Sequence, residues 1–470
     1  MVKFFPEKNK LLGLIFSVLI FGSITGCSSL ATKTDFYRPI TKELHQNNFY
    51  AAVEKIEKAK TDKKYSHKNR FLYYLDAGLA YHYAKLYDSS NIRLTSAEDA
   101  ADELFTKSIS KAATSLLLND NVLEYAGEDY EILYTNLIKA MNYLSLNMFD
   151  DAFVEIRRAN NKLNLLDQKY ADAATRFQEM SAKDTANVGL TYDYEKVNFN
   201  NDAFARYLSM HIYAADGLYD DAKIDLDWMH RAFKEQPHIY NFEIPEVNYY
   251  SQEKAILSVV ALTGIAPHKD AFNLRIRTDK DLNLVQVLFT GEDGNESEYA
   301  HFALPVSSDY YFKFAVPKLV DKPSDVHKIK VFANDEPIGK LSLIEDISRV
   351  AHETYNAKKS LIYIRSFSRA IYKGLVANKM KKKADSDGLV GWLKKAAIDV
   401  GMDATENADL RSSFLLPGEI HVGDFEINPG TYNIRVDYLD KNGATIYSKY
   451  IDNVAVKKHD FNLAETIYLN

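Results

Sequence analysis

The chain has 470 residues, a formal charge of −7, 46% apolar residues and 13% aromatic residues. That length admits two or three domains, and that apolar share excludes a disordered or fibrous chain. The mildly acidic balance argues against nucleic acid as a partner, because that role needs a concentrated basic face.

The first element is a targeting segment. Lys3, Lys8 and Lys10 precede an uncharged, mostly apolar run from Leu11 to Ile24, and small residues lead up to Cys27. This order of charge, apolar run and small residues predicts a secretory signal over residues 1–26, cleaved between Gly26 and Cys27. The run is short for a bilayer span, which takes about 20 residues. Ile24-Thr25-Gly26-Cys27 resembles the bacterial lipobox. The resemblance implies diacylation of the Cys27 thiol and, in a Gram-negative host, a third chain on its amine. With Ser28 next, it also implies transfer to the periplasmic face of the outer membrane. Two or more acyl chains anchor a protein stably. Cys27 is the only cysteine, so no internal disulfide competes for it. Removing residues 1–26 takes away three lysines and one glutamate, moving the charge from −7 to −9. Residues 27–37 then read as a linker.

Residues 38–266 read as a helical domain, with almost no proline and with apolar residues recurring at i, i+3, i+4 and i+7. One segment fits the tetratricopeptide pattern. Ala140 and Tyr143 fall on a first helix; Phe149, Ala152, Ile156 and Ala159 fall on a second. Further copies are Gly78 and Tyr81 with Tyr87, Ser90, Leu94 and Ala97, and Tyr213 with Tyr219, Ala222, Leu226 and Met229. A degenerate first copy keeps Phe49, Ala52, Ile56 and Ala59. The small residues let paired helices approach, and the larger ones fill the gap to the next pair. The anchors Ala52, Ser90, Ala152 and Ala222 are unevenly spaced, so the expected array is irregular. A generic helical bundle is the rival reading, because the same spacing occurs in ordinary helix hairpins. Residues 160–200 read as a long helix pair with a polar connection.

After Pro267 the pattern alternates. Strands are predicted at Phe272–Arg277, Leu284–Phe289, Tyr299–Leu304, Tyr310–Val316, Lys328–Phe332 and Ile338–Leu343. Residues 346–408 return to helix, capped by Asp346 or Ser348. Strands resume at Phe414–Leu416, Glu419–Ile427, Thr431–Leu439 and Thr445–Ile451, with weaker candidates at Val454–Val456 and Phe461–Leu469. Asp440-Lys441-Asn442-Gly443 reads as a tight turn. The expected class is therefore α+β and multidomain: a tetratricopeptide-like solenoid, then a β-sandwich whose parts, 267–345 and 409–470, flank a helical insert. Two separate β units are the alternative.

No catalytic constellation stands out. The 12 histidines lack metal-ligand spacing, and His352-Glu353 lacks the second histidine of a zinc-protease helix. No cofactor and no metal are expected. Asp150-Asp151 and Asp220-Asp221 read as solvated turn or capping residues. Arg365, Arg369 and Lys373 lie four apart on one helix face. They suit anionic headgroups or an ordinary amphipathic helix laid on the sandwich.

Two regions resemble a family of bacterial lipoproteins with an N-terminal tetratricopeptide region. The first runs Tyr125-Ala126-Gly127-Glu128-Asp129-Tyr130-Glu131, continues through the Ala140–Tyr143 helix and includes Asp151–Ala159. The second is Asp409-Leu410-Arg411 with Leu415-Leu416-Pro417. The resemblance implies an envelope location and a helical scaffold, and brings no activity with it. The expected function is a membrane-anchored interaction scaffold whose groove takes an envelope protein or peptide. An accessory of peptidoglycan synthesis or secretion is the alternative, and a glycan or peptide binder or enzyme using the many aromatics is the third.

Overall fold

The computed structural model describes residues 34–110, 123–182, 196–282, 284–290, 296–303, 309, 311–375 and 408–470. Gly26, Cys27 and the whole expected signal lie outside the described residues. The chain is mixed α+β, with helices first and two sheets after them.

The helices pair into hairpins: α1 (Thr34–His45) with α2 (Phe49–Thr61), α3 (Arg70–Tyr83) with α4 (Tyr87–Ser110), α5 (Asp129–Ser145) with α6 (Phe149–Ala182), and α7 (Ala203–Ala215) with α8 (Tyr219–Glu235). The four connecting turns are built alike. Asn47, Lys85, Asn147 and Gly217 each take a left-handed conformation, with φ of 55°, 60°, 58° and 77°. The next residue, Asn48, Leu86, Met148 or Leu218, returns its N–H to the carbonyl of Glu43, Tyr81, Tyr143 or Tyr213 at 2.8–2.9 Å. This satisfies a carbonyl that the ending helix leaves open and reverses the chain at once. Contacts between hairpins put all four turns at one end of the array. Phe49 meets Tyr83, His82 meets Asn142, and Phe153 meets Tyr213.

The small residues of the predicted repeats sit where the helices touch. Ala140, Ala152, Ile156, Ala159, Ala222 and Ser90 are buried, while Tyr81, Tyr87, Tyr143, Phe149 and Tyr213 are half-buried. Tyr219 differs: it is exposed and leans edge-on against Tyr250 at 4.6 Å instead of filling a gap in the array. Ser90 Oγ donates to the Gly78 carbonyl at 2.7 Å. A Cβ at Gly78 would sit 2.4 Å from the Leu94 side chain. Gly78→Val is therefore expected to cost about 2 kcal/mol by overpacking. The check is the urea midpoint, and no shift would mean that α3 and α4 have slack.

The predicted helical domain ends too late. Residues 255–263 form a strand, β1 (Ala255–Thr263), buried along its whole length. A short apolar run buried on both faces carries no alternation, so it cannot be told from helix by period. The strands β2 (Ile265–Asp279), β3 (Leu284–Thr290), β4 (Glu296–Ala303) and β5 (Tyr311–Lys322) follow, then β6 (Lys328–Ala333) and β7 (Glu336–Asp346). Next come a helix, α9 (Ile347–Leu375), and β8 (Glu419–Ile427), β9 (Gly430–Leu439), β10 (Thr445–Val456) and β11 (Asn462–Tyr468). Of the two proposed caps of α9, Asp346 is the one used: its Oδ1 accepts from the Arg349 N–H at 3.1 Å.

Strands from both sides of the helical insert share one seven-stranded sheet, ordered β10-β9-β6-β7-β8-β1-β11. Its edge strands approach each other, and Tyr447 of β10 stacks on Tyr468 of β11 at 4.7 Å. The sheet thus curls toward closure around its own core of Leu257, Val259, Val331, Val436 and Tyr438. This corrects the β-sandwich expectation. The remaining sheet, β4-β3-β2-β5, packs against α9 through β2 and β5. Phe414–Leu416, predicted as a strand, is a buried segment outside both sheets that bends at Phe414 and Leu416. Its carbonyls are divided between the array and the sheet: that of Leu415 accepts from Tyr83 of α3 and that of Leu416 from the Ala266 N–H of β2, a pairing that no strand pattern encodes.

Candidate interaction site

The first helices of the hairpins face the β region. Tyr83 of α3 donates to the Leu415 carbonyl at 2.6 Å, and Tyr130 of α5 to that of Pro267. Tyr207 of α7 reaches Asp424 of β8 at 2.8 Å. His82 of α3 meets Glu465 of β11 at 2.8 Å, off the line of a good hydrogen bond. Asn142 fixes the His82 ring. Its amide nitrogen donates to Ser90 and Asn91, leaving its oxygen to accept from Nδ1–H at 2.7 Å. Burial opposes charge on this imidazole, but Glu465 outweighs burial and raises its pKa.

Between the array and the sheet runs a strap, residues 409–416. Phe414 stacks on Tyr37 of α1 at 4.5 Å. The Ser413 N–H donates to Glu131 of α5 at 2.6 Å, and its hydroxyl to Asp76 of α3 at 2.7 Å. Tyr37 and Tyr65 also donate to Asp76, at 2.7 and 2.8 Å. Arg411 clamps Asp409 through two bonds of 2.8 Å, reaches the Leu123 carbonyl at 3.0 Å, and lies over the Tyr125 ring. Thus the two stretches that carry the family resemblance, 125–131 and 409–417, meet in space. Gly127 belongs to the same joint: its φ is 89°, and a Cβ there would strike the Phe71 ring at 2.5 Å.

The joint is buried and highly charged. Burial pushes the Asp76 carboxyl up to about 7, against three hydrogen bonds that favour its charged form. Burial and the neighbouring Glu128 also raise Glu131. For Asp409, burial acts upward, but Arg411 and Lys269 outweigh it and hold the carboxyl well below the usual range. Glu128 follows the same balance, lowered by Lys269 at 2.6 Å and by Lys358 of α9. Such paired, hydrogen-bonded charges fix one geometry and are costly to break singly.

The second helices face outward and repeat one arrangement. Their second and sixth residues, one turn apart on the same face, are Tyr50 and Glu54, Asp88 and Ile92, Asp150 and Val154, and Asp220 and Ile224. All eight are exposed. Each pair joins an acid to an apolar side chain, including Tyr50 at 62% and Ile92 at 64% exposure. Asp150-Asp151 and Asp220-Asp221 stand exposed in the first turn of α6 and α8, and the N-cap of α8 is Leu218, which makes no side-chain capping bond. The stripe residues Arg365, Arg369 and Lys373 fall on α9, but their side chains lie outside the described residues, as does the lysine tract 379–383.

A cleft at the turn end brings together residues that no sequence spacing joins. Tyr219, Tyr249, Tyr250, His459 and Phe461 line it, with His211 and Ser258 at its floor. About 20 Å³ is free inside, room for a water molecule and not for a sugar ring. Ser258 Oγ donates to Asp424 at 2.7 Å and stands 3.5 Å from His211 Nε2, while Asp424 also meets that same Nε2. A nucleophilic triad needs the acid and the serine on opposite ring nitrogens. Here the acid accepts the serine's hydrogen bond itself, so the trio is a hydrogen-bond network tying α7 to the sheet.

Among the described residues, no group of three or more His, Cys, Asp or Glu is placed to hold a metal, and no helix is long and apolar enough to cross a membrane. No protein-family model, no curated protein and no solved structure matches this chain.

Proposed function

We propose that the protein is an envelope lipoprotein, anchored through Cys27, that serves as a scaffold for a protein or peptide partner. In this reading the hairpins are a degenerate tetratricopeptide-like array. The observation that carries it is the fourfold repetition of one turn and one outward side-chain pair on an otherwise irregular helical chain. Repetition of this kind builds an extended surface and not a single pocket. The surface differs from the groove expected from the sequence. The inner side of the array holds the chain's own strap and sheet, so a partner meets the outer side.

At ~3.5 Å per residue, the stretch from Cys27 to Thr34 reaches about 25 Å at most. The array then works close to the membrane surface, where an accessory of envelope assembly would also act. Cys27→Ser is expected to move the protein from the membrane to the soluble fraction on cell fractionation. A variant that stays with the membrane after a carbonate wash would refute the anchor.

A further inference from the structure

We propose that the outward faces of the second helices form a docking strip for a cationic amphipathic segment of a partner protein. The inference rests on the scaffold reading and adds the chemistry of the partner. Ile92, Val154 and Ile224 are 64%, 46% and 53% exposed at the same register position of three hairpins. A solvated helix face has no need of an aliphatic residue at that position three times over. One turn toward the hairpin end stand Asp88, Asp150 and Asp220 in turn, and none of them makes an ion pair among the described residues. In the first hairpin the order is reversed, with Tyr50 then Glu54, which keeps the same chemistry.

The turn end adds to this. Leu86, Met148 and Leu218, the residues that close three of the turns, are 37%, 42% and 47% exposed. Asp151, Asp216 and Asp221 are exposed close by. Lys85, Arg157 and Lys223 are exposed among them, so the strip is apolar with an excess of acid along three successive hairpins, six aspartates against three bases. An anionic lipid surface is repelled by that charge, and an acidic peptide likewise. A segment that alternates basic and apolar side chains at helical spacing satisfies both components. Its lysines or arginines meet the aspartates while its aliphatic face covers Ile92, Val154 and Ile224. Exposed pairs contribute modestly one at a time, so recognition relies on repetition along the strip.

The test uses the whole mature chain in detergent and a labelled 16-residue peptide of leucine and lysine at helical spacing. A leucine–glutamate twin and vesicles of anionic lipid serve as controls. The expected result is anisotropy binding of the lysine peptide that weakens with salt, and no binding of the twin or the vesicles through this face. Affinity is expected to fall at least tenfold in Val154→Ser/Ile224→Ser, and similarly in Asp150→Asn/Asp220→Asn. These positions are exposed, so unchanged circular dichroism and urea midpoints are expected and confirm that the variants fold. Equal binding of the acidic twin, or affinity that neither double variant changes, overturns the proposal. A tenfold rise in peptide affinity on changing Lys379, Lys381, Lys382 and Lys383 to Gln also overturns it, because the strip would then belong to the chain's own lysine tract. Cross-links from Val154 to a partner segment without basic residues would end this inference and leave the scaffold reading intact. Cross-links from no exposed position would end both.

Discussion

Arg411→Ala is expected to destabilise the whole protein by about 3–5 kcal/mol, the cost of stranding one member of a buried ion pair. Arg411 makes two 2.8 Å bonds to Asp409, and both side chains are less than a tenth exposed. Without the guanidinium, Asp409 either stays charged in a buried site or takes up a proton that its present surroundings disfavour. The Leu123 carbonyl loses its donor as well. The strap also buries Phe414, Leu415 and Leu416, at roughly 1.5–3 kcal/mol each. Loosening it uncovers apolar surface on both the helical array and the sheet. Urea unfolding followed by far-ultraviolet and aromatic signals is therefore expected to shift to a lower midpoint in one coincident transition. Helix loss that leaves the sheet signal in place would mean that the strap does not couple the two.

The second large effect is in the pH dependence. Asp76 is raised from 3.8 to about 7 on folding, chiefly by burial. A carboxyl raised in this way favours the folded state while protonated. Its contribution is complete below the unfolded value and is lost as pH climbs through about 7. At 1.36 kcal/mol per pH unit, the loss between pH 5 and 8 is roughly 3 kcal/mol. Asp202, raised by burial to about 6, and Glu345, raised by burial and then by Asp202, act in the same direction. The lowered groups act oppositely: Glu98, brought to about 2 by Lys162, Asn136 and Lys139 against burial, and Asp409 lose their contributions as pH falls. Stability is thus expected to peak at about pH 4–5, where the lowered groups are still charged and the raised ones still protonated in the fold. Asp76→Asn keeps an oxygen for Tyr37 and Tyr65 and offers its amide to Ser413. It is expected to flatten the decline between pH 5 and 8 by roughly 3 kcal/mol. An identical slope in wild type and variant would show that Asp76 does not carry it.

The sequence makes local structure legible where one element carries its own pattern. The hairpin pairs follow from small and aromatic residues at fixed spacing. The turn after β9 follows from Asp440 and Gly443, whose atoms bond as the tetrapeptide suggests. β1 was hidden because both of its faces are buried, which removes the alternation that marks a strand. The strap was hidden for a different reason. Ser413 finds Asp76, 337 residues away, and Glu131, 282 residues away, and no periodicity reports such a pairing. The resemblance did single out both sides of the joint, through Tyr125–Glu131 and Asp409–Arg411, without indicating that they touch. The outward strip was legible in principle. The acid–aliphatic pairs stand at fixed offsets from the aromatic that opens each second helix, but an exposed aliphatic is recognised only once burial is known.

The array is occupied on its inner side by its own chain, and we propose that partners meet its outer side. The most direct measurement is photo-cross-linking in living cells from a genetically encoded aryl azide at Ile92, Val154 or Ile224, with Leu282, 71% exposed, as the comparison. The account predicts partner adducts from the three strip positions, mapped to one segment by mass spectrometry, and none from Leu282. Adducts from Leu282 with none from the strip would contradict it.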